Sequence, residues 1–229
     1  ASPGLMAAPV IAIDGPSGTG KGTIARLIKA WLGWHLLDSG ALYRVTACHA
    51  EARGVALDDA LAVAALALEL PVGFVEHPSD THVLLEGVDV TDRIRSEAAG
   101  AAASRVAALG PVRDALLARQ RAFRQPPGLV ADGRDMGTVV FPDAELKIYL
   151  TASPEERARR RYKQLNEKGM GVTFPQLIED IAERDRRDEQ RSISPLKPAT
   201  DAIILDTTDS DIATVVDHVK RLVRKTGLA

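Results

Sequence analysis

Short apolar strands alternating with amphipathic helices predict an α/β fold, in which βα units wind around a parallel sheet. Three observations carry that expectation. Five apolar runs, at 9–14, 35–38, 129–133, 146–150 and 201–206, have the length and continuity of strands buried on both faces. Helical patterns separate them. Between the second and third runs, residues 71–92 change to apolar–polar alternation, the mark of a small antiparallel insert with one face in water.

The elements follow in order. Residues 1–8 carry little pattern and are expected to be a disordered N-terminus or an expression scar ahead of the natural start. PVIAID (9–14) is a strand ended by the glycine-rich GPSGTGKGT (15–23), and Ile24, Leu27, Ile28 and Trp31 then line one helix face. HLLD (35–38) is the second strand, followed by helices over Tyr43–Ala52 and Asp58–Leu68. Within PVGFVEHPSDTHVLLEGVDVTD (71–92), HPSD and EG supply the turns of a meander. Helices resume over Arg93–Gln125, interrupted at Gly110-Pro111 and stopped by PPG (126–128). LVADG (129–133) and LKIYL (146–150) are the third and fourth strands. Ser153-Pro154-Glu155-Glu156 opens a helix, with Ser as cap, Pro at the first position and Glu three residues on. GMG breaks that helix after about Lys168, a further one covers Phe174–Arg191, and the strand DAIILD (201–206) leads to a last helix over Ile212–Lys225. There is no internal repeat.

At 229 residues with 45% apolar and 26% charged side chains, the chain is an ordinary globular domain, long enough to fold without disulfide or metal staples. No apolar stretch approaches the ~20 residues of a membrane helix, and no basic-then-apolar leader is present. The single Cys48 excludes an intramolecular disulfide or a multi-cysteine zinc site and suits a reducing compartment, so a cytoplasmic protein is expected. The five histidines form no ligand cluster. Net charge is −2, which gives no general field for nucleic acid. Of 29 basic residues, however, 21 are Arg, and eight of these lie between Arg157 and Arg191. A solvated helix face explains such a run as readily as an anionic ligand does, so the count alone decides nothing.

Gly15-Pro16-Ser17-Gly18-Thr19-Gly20-Lys21 satisfies G-x-x-x-x-G-K between a strand and a helix, the context the motif requires. Its glycines let backbone N–H groups surround phosphate oxygens, the helix N-terminus adds positive potential, and Lys21 reaches the β- and γ-phosphates. The fold expected is therefore a three-layer P-loop NTPase type with a five-stranded parallel sheet. The place of the usual metal-ligating Ser or Thr is taken by Gly22, with Thr23 following, so no direct protein ligand to Mg²⁺ is assigned. Asp132, ending the apolar strand LVAD, is the natural acid to hold that ion through water, although strand-end aspartates also serve turns. Selection of guanine by N-K-x-D is absent, and G-x-G-x-x-G does not follow the first strand.

An acceptor site is expected along the same carboxyl edge of the sheet. Arg44 in Asp38-Ser39-Gly40-Ala41-Leu42-Tyr43-Arg44 could fork onto a phosphate or pair with a helix carboxylate. Arg134 and Asp135 follow the third strand, while Arg184, Asp188 and Arg191 recur at spacings of four and three on one helix face.

Together IDGPSGTGKGT, LLDSGALYR, ADGRDMGTVVFPDA and ERDRRD followed by SPL resemble the bacterial cytidylate kinases, across essentially the whole chain after its first residues. That resemblance implies a single nucleoside monophosphate kinase domain over 9–229, with a P-loop at 15–23, a monophosphate-binding insert at about 66–103 and a short helical lid at about 157–171. It implies transfer of the ATP γ-phosphoryl group to CMP or dCMP with Mg²⁺. By the same resemblance Thr23 contacts phosphate, and Ser39, Arg44, Arg134 and Arg191 surround the acceptor phosphate with Tyr43 in the same site. Ser104, Arg113 and Asp135 read cytosine, Arg184 and Asp188 hold the sugar, and Arg157 and Arg161 reach ATP. A monomer without nucleic-acid or membrane partners is expected. Two rivals stand beside this reading: a kinase of another small acceptor, such as a shikimate- or uridylate-type enzyme, and a catalytically idle nucleotide- or RNA-binding module.

Overall fold

A computed structural model describes residues 7–77, 80–169 and 171–229. The turn expected at HPSD and the break expected at GMG each fall partly outside those residues. So does most of the stretch 1–8.

The chain opens with β1 (Val10–Asp14), α1 (Lys21–Leu32) and β2 (His35–Asp38). Helices α2 (Ser39–Ala52) and α3 (Ala60–Leu68) lead into β3 (Val72–Glu76), β4 (Thr81–Leu85) and β5 (Val88–Asp89). Three helices follow, α4 (Thr91–Ile94), α5 (Glu97–Ala107) and α6 (Gly110–Arg121). After β6 (Leu129–Gly133) comes a π-helical turn (Met136–Val140) and β7 (Leu146–Thr151). The chain continues through α7 (Pro154–Glu167), α8 (Phe174–Glu189), β8 (Ile203–Asp206) and α9 (Ile212–Lys225). Among the described residues, no helix is long and apolar enough to cross a membrane.

Two compact units emerge. The first joins residues up to Asp38 with Gln120 onward. Its sheet has the order β2-β6-β1-β7-β8, every neighbouring pair parallel. β1 lies at the centre, and all five of its residues are buried, which is why VIAID reads as a continuous apolar run ending in a charge. Ile11, Ile13, Ile24, Ile28, Ile148 and Val219 lock the sheet to α1 and α9. Trp34 is buried in this core; Trp31 is half-buried against it, with Lys220 and Arg224 over its ring at 5.3 and 5.2 Å. A separate apolar cluster, Ala158, Leu165, Leu177 and Ile181, pins α7 to α8.

The second unit is Ser39–Arg119. Its meander pairs β3-β4-β5 antiparallel, as the alternation predicts. Its own core contains Tyr43, Ala47, Val63, Val106 and Leu116. Cys48 is buried here, and burial raises its thiol pKa, so it is a core residue with little thiolate character.

Caps explain most boundaries. Ser153 accepts from the Glu156 N–H at 3.2 Å, as the Ser-Pro-Glu-Glu signal predicts, and Asp59, Thr173 and Asp211 cap α3, α8 and α9 in the same way. Two differences from the expected boundaries have a local cause. α2 begins at Ser39 instead of Tyr43, because Gly40 obscures the helical pattern. The helical run from Arg93 breaks once more at Ser96, whose hydroxyl caps α5 by accepting from the Ala99 N–H at 3.1 Å.

Entry into β6 depends on one small residue. A Cβ on Gly128 would lie 2.4 Å from the Trp34 ring, which is itself packed in the core. Gly128→Ala is therefore expected to cost about 1–3 kcal/mol by overpacking. Urea unfolding followed by tryptophan fluorescence measures it, and an unchanged midpoint would remove Trp34 from this account.

Candidate active site

The phosphate loop sits between the central strand and α1. A Cβ on Gly15 would stand 2.2 Å from the carbonyl oxygen of Leu150 in β7, so only glycine lets the chain leave β1 here. α1 then starts on Gly20, in the left-handed region with φ 91°, with no side chain capping it. The first-turn N–H groups of α1 thus lack the side-chain acceptor that α7, α8 and α9 each have, which suits them to an anion. The Pro16 carbonyl accepts from Lys21 Nζ at 2.9 Å and from Thr19 Oγ1 at 3.1 Å, tying both side chains into the loop. Lys21 is buried, Ser17 and Gly22 are half-buried, and Gly18 and Thr23 are exposed.

Burial pushes the Lys21 pKa down to about 8, with Arg134 and Arg184 adding to the fall, and Asp132 and Asp14 opposing it. Asp132, at the end of β6, is buried and points along the first turn of α1: its Oδ2 lies 3.4 Å from where a Gly22 Cβ would be. Asp14, at the end of β1, is a residue the sequence reading did not select. Its two carboxylate oxygens accept from the Met136 and Gly137 N–H groups at 2.9 and 2.8 Å. Burial still raises its pKa to about 7, against those bonds and the pull of Lys21, with the charge of Asp135 nearby adding to the rise. The signal available in sequence was a lone carboxylate closing a fully apolar strand, immediately before the phosphate loop.

By holding Met136 and Gly137, Asp14 fixes the turn that presents Arg134 and Asp135. That turn is π-helical: the Val140 and Phe141 N–H groups donate to the Asp135 and Met136 carbonyls at 3.1 and 2.7 Å. Asp135 is buried at its head. Arg134 Nε donates to Asp188 Oδ2, joining the turn to α8. Arg191 Nη1 stands 3.8 Å from Asp188 Oδ1, and its Nη2 donates to the Ser194 carbonyl at 2.6 Å. Burial works against the Asp188 charge, but Arg134, Arg184 and Arg191 outweigh it and hold the carboxyl below its ordinary range. Burial likewise opposes the Arg134 charge, and Asp188 more than offsets it. Arg134, Arg184, Asp188 and Arg191, singled out from separate segments, are thus one cluster, and Arg134 and Arg184 act electrostatically on Lys21.

The two arginines expected to reach ATP differ from each other in placement. Arg157 is buried and faces the protein, whereas Arg161 is half-buried with a bond to Gln164 Oε1 at 3.3 Å. Arg160, which the sequence reading passed over, reaches Thr207 through its Oγ1 at 3.1 Å and through its carbonyl. Thr207 in turn donates to Thr19 O at 3.3 Å, so this loop is fastened to the phosphate loop.

Within the second unit, Ser39, Tyr43, Ser104 and Arg113 are buried and Arg44 is half-buried. Arg113 lies over the Tyr43 ring at 5.3 Å and donates to the Ala107 carbonyl at 2.9 Å, so two residues expected in the substrate site meet there.

The donor set suits a cation only in part. No group of three or more His, Cys, Asp or Glu could hold a metal among the described residues. Asp14 spends both oxygens on N–H groups, while Asp132 lies beside the first turn of α1. Mg²⁺ keeps several waters and takes one or two carboxylates plus phosphate oxygens, so the residues fit an ion carried by a nucleotide.

The chain is also similar to proteins of known family. The cytidylate kinase family model matches residues 11–225. The chain is 59% identical to the cytidylate kinase of Pseudomonas aeruginosa strain UCBPP-PA14 over 223 residues, covering 96% of this chain and 97% of that one. It is 61% identical to that of Pseudomonas paraeruginosa strain PA7, covering 93% and 94%. Identity to the cytidylate kinase of Aeromonas salmonicida strain A449 is 56%, covering 93% and 95%.

The low Lys21 pKa has a measurable consequence. Only the ammonium form attracts a triphosphate, and that form is lost as pH rises through about 8. ATP affinity is expected to fall above that pH, by up to about tenfold per unit until the pKa of the bound state is passed. Calorimetric titration of ATP from pH 7 to 10 checks this, and a flat profile would place the Lys21 pKa near its ordinary value.

Proposed function

The chain belongs to the cytidylate kinase family, and we infer that it transfers the γ-phosphoryl group of ATP to CMP, giving CDP and ADP, with dCMP as a second acceptor. The observation that carries this reading is the cluster of Arg134, Arg184 and Arg191 on Asp188, within electrostatic reach of Lys21. Cations drawn from two further segments beside a phosphate loop suit two phosphorylated ligands meeting end to end.

The roles divide along that line. The loop 15–23 holds the donor phosphates, with Thr23 at its open side and Arg161 reaching ATP from the lid. Lys21 spans the transferring group. Arg134 and Arg191 bind the acceptor phosphate, and Ser39, Tyr43, Arg44, Ser104 and Arg113 carry the acceptor-binding roles that the family resemblance implies. Asp135 reads cytosine, and Arg184 and Asp188 hold the sugar. We read 9–229 as a single kinase domain with its insert at about 66–103 and its lid at about 157–171.

No general base is required, because the acceptor is a phosphate oxygen whose second pKa of about 6 leaves it ionised near neutrality. The chain's contribution is positioning and charge. Lys21, Arg134 and Arg191 stabilise negative charge on the oxygens of the transferring group, and a site stripped of water makes each cation count for more. Mg²⁺, when bound with the nucleotide, neutralises phosphate charge, and Asp132 would hold it through water. The near-neutral pI of 6.3 supports a protein without a nucleic-acid partner. A cytoplasmic monomer fits the same reading.

An ADP-release assay with each monophosphate in turn tests the proposal. CMP should be strongly preferred over UMP, AMP and GMP, and ATP binding without CMP-dependent ADP release would overturn it. Base choice is expected to rest on Asp135. An ionised carboxylate only accepts hydrogen bonds, so it welcomes the cytosine amine and opposes the uracil O4. Asp135→Asn should lower kcat/KM for CMP and narrow the CMP-over-UMP ratio by about tenfold or more, since matched polar groups in a buried site discriminate strongly. An unchanged ratio in a folded variant would leave Asp135 with the task of orienting the turn.

A further inference from the structure

The guanidinium of Arg157 lies inside the protein, gripped by Asp185 of α8: Nη1 meets Oδ1 at 3.0 Å and Nη2 meets Oδ2 at 2.5 Å. The Arg157 side chain is 4% exposed and that of Asp185 17%. Nε donates to the Ala152 carbonyl at 3.0 Å, and Nη1 also donates to the Ser17 carbonyl, in the outer turn of the phosphate loop, at 3.2 Å. The aliphatic part of the same side chain abuts the next residue of that turn. A Cβ on Gly18 would meet Arg157 Cβ at 3.0 Å, and Gly18 has φ +78°. Arg157 therefore supports Ser17-Gly18 by a hydrogen bond and by contact, and Asp185 fixes the arginine in that pose.

We propose that Asp185 and Arg157 form a clasp that positions the outer turn of the phosphate loop for the donor triphosphate, with Asp185 as the positioning residue. The inference rests on the kinase reading above for its biological meaning, and it assigns Arg157 a different task from direct contact with ATP. α8 thereby takes both sides of the reaction in hand. Asp185 steadies the donor loop through Arg157, and three residues later Asp188 receives Arg134 from the acceptor side. The three-residue spacing puts both carboxylates on neighbouring parts of one helix face. A bidentate guanidinium–carboxylate pair fixes direction as well as distance, which a lysine in place of Arg157 cannot do.

The test compares Asp185→Ala, Arg157→Ala, Arg157→Lys and the Arg157→Ala/Asp185→Ala double variant with the parent. Thermal melts establish that each is folded, calorimetry gives the Kd for ATP without CMP, and steady-state kinetics give KM for each substrate. The clasp predicts that each alanine variant weakens ATP binding by about tenfold or more, the scale of a charge-assisted hydrogen bond lost from a buried site. The KM for CMP should change by less than about threefold, a shift under 1 kcal/mol. The double variant should be no worse than either single variant, and Arg157→Lys should fail to restore affinity. Three results would overturn the clasp: an unchanged or tighter Kd for ATP in Asp185→Ala, which is what release of an ATP-binding arginine would produce; additive losses in the double variant; or full affinity in Arg157→Lys. Should ATP binding respond as predicted while the parent shows no CMP-dependent ADP release, the clasp stands and the assignment of the acceptor fails.

Discussion

Folding strips the water from Lys21 and leaves its charge to be supported by its neighbours. At the carboxyl edge of the parallel sheet that support is incomplete: Asp132 and Asp14 favour the ammonium, while Arg134 and Arg184 oppose it, and burial lowers the pKa to about 8. A buried cation among other cations is an arrangement that an arriving polyanion relieves. Much of the first unit can be understood as the scaffold that keeps these like charges close together without a ligand to neutralise them.

That scaffold works by giving most of the charges a fixed partner. Asp188 gathers Arg134 and Arg191, and Asp14 is anchored by two backbone N–H groups. Each carboxylate stabilises the position of something other than itself. Asp14 sets the turn carrying Arg134 and Asp135, and Asp188 sets the guanidinium of Arg134. The parallel register makes this possible: Ile13 pairs with Asp132 and Asp14 with Gly133, so β1 and β6 deliver their acids one register step apart at the same edge. The phosphate loop leaves β1 at that edge, where the close approach of Leu150 permits only glycine.

The sheet was legible because each of its five strands is an apolar run bounded by turn chemistry, and the antiparallel meander was legible because its side chains alternate. The phosphate loop was legible because its glycines and lysine have a fixed spacing. Other features lay beyond pattern reading for physical reasons. The break at Ser96 hides in a helical run whose periodicity continues on both sides, with only a hydroxyl to mark the cap. Asp14 reads as the polar end of a strand, and nothing local indicates that its partners, Met136 and Gly137, lie more than a hundred residues away. Arg157 carries the same charge in sequence as Arg161, yet tertiary contacts bury one and leave the other half-exposed. Sequence shows which residues can bear charge, and only the fold decides which of those charges face inward.

Proton counting on ATP binding is the most direct test of this account. Calorimetry at pH 8.5 in buffers of different ionisation enthalpy reads the protons exchanged when the complex forms. At that pH the triphosphate is fully ionised, since its phosphate pKa lies near 6, whereas Lys21, with a pKa of about 8, is partly neutral. Arrival of the polyanion should raise the Lys21 pKa, so binding should take up a fraction of a proton. Proton release, or enthalpies that do not depend on the buffer at pH 8.5, would contradict the claim that a desolvated, partly neutral Lys21 is what the anion completes.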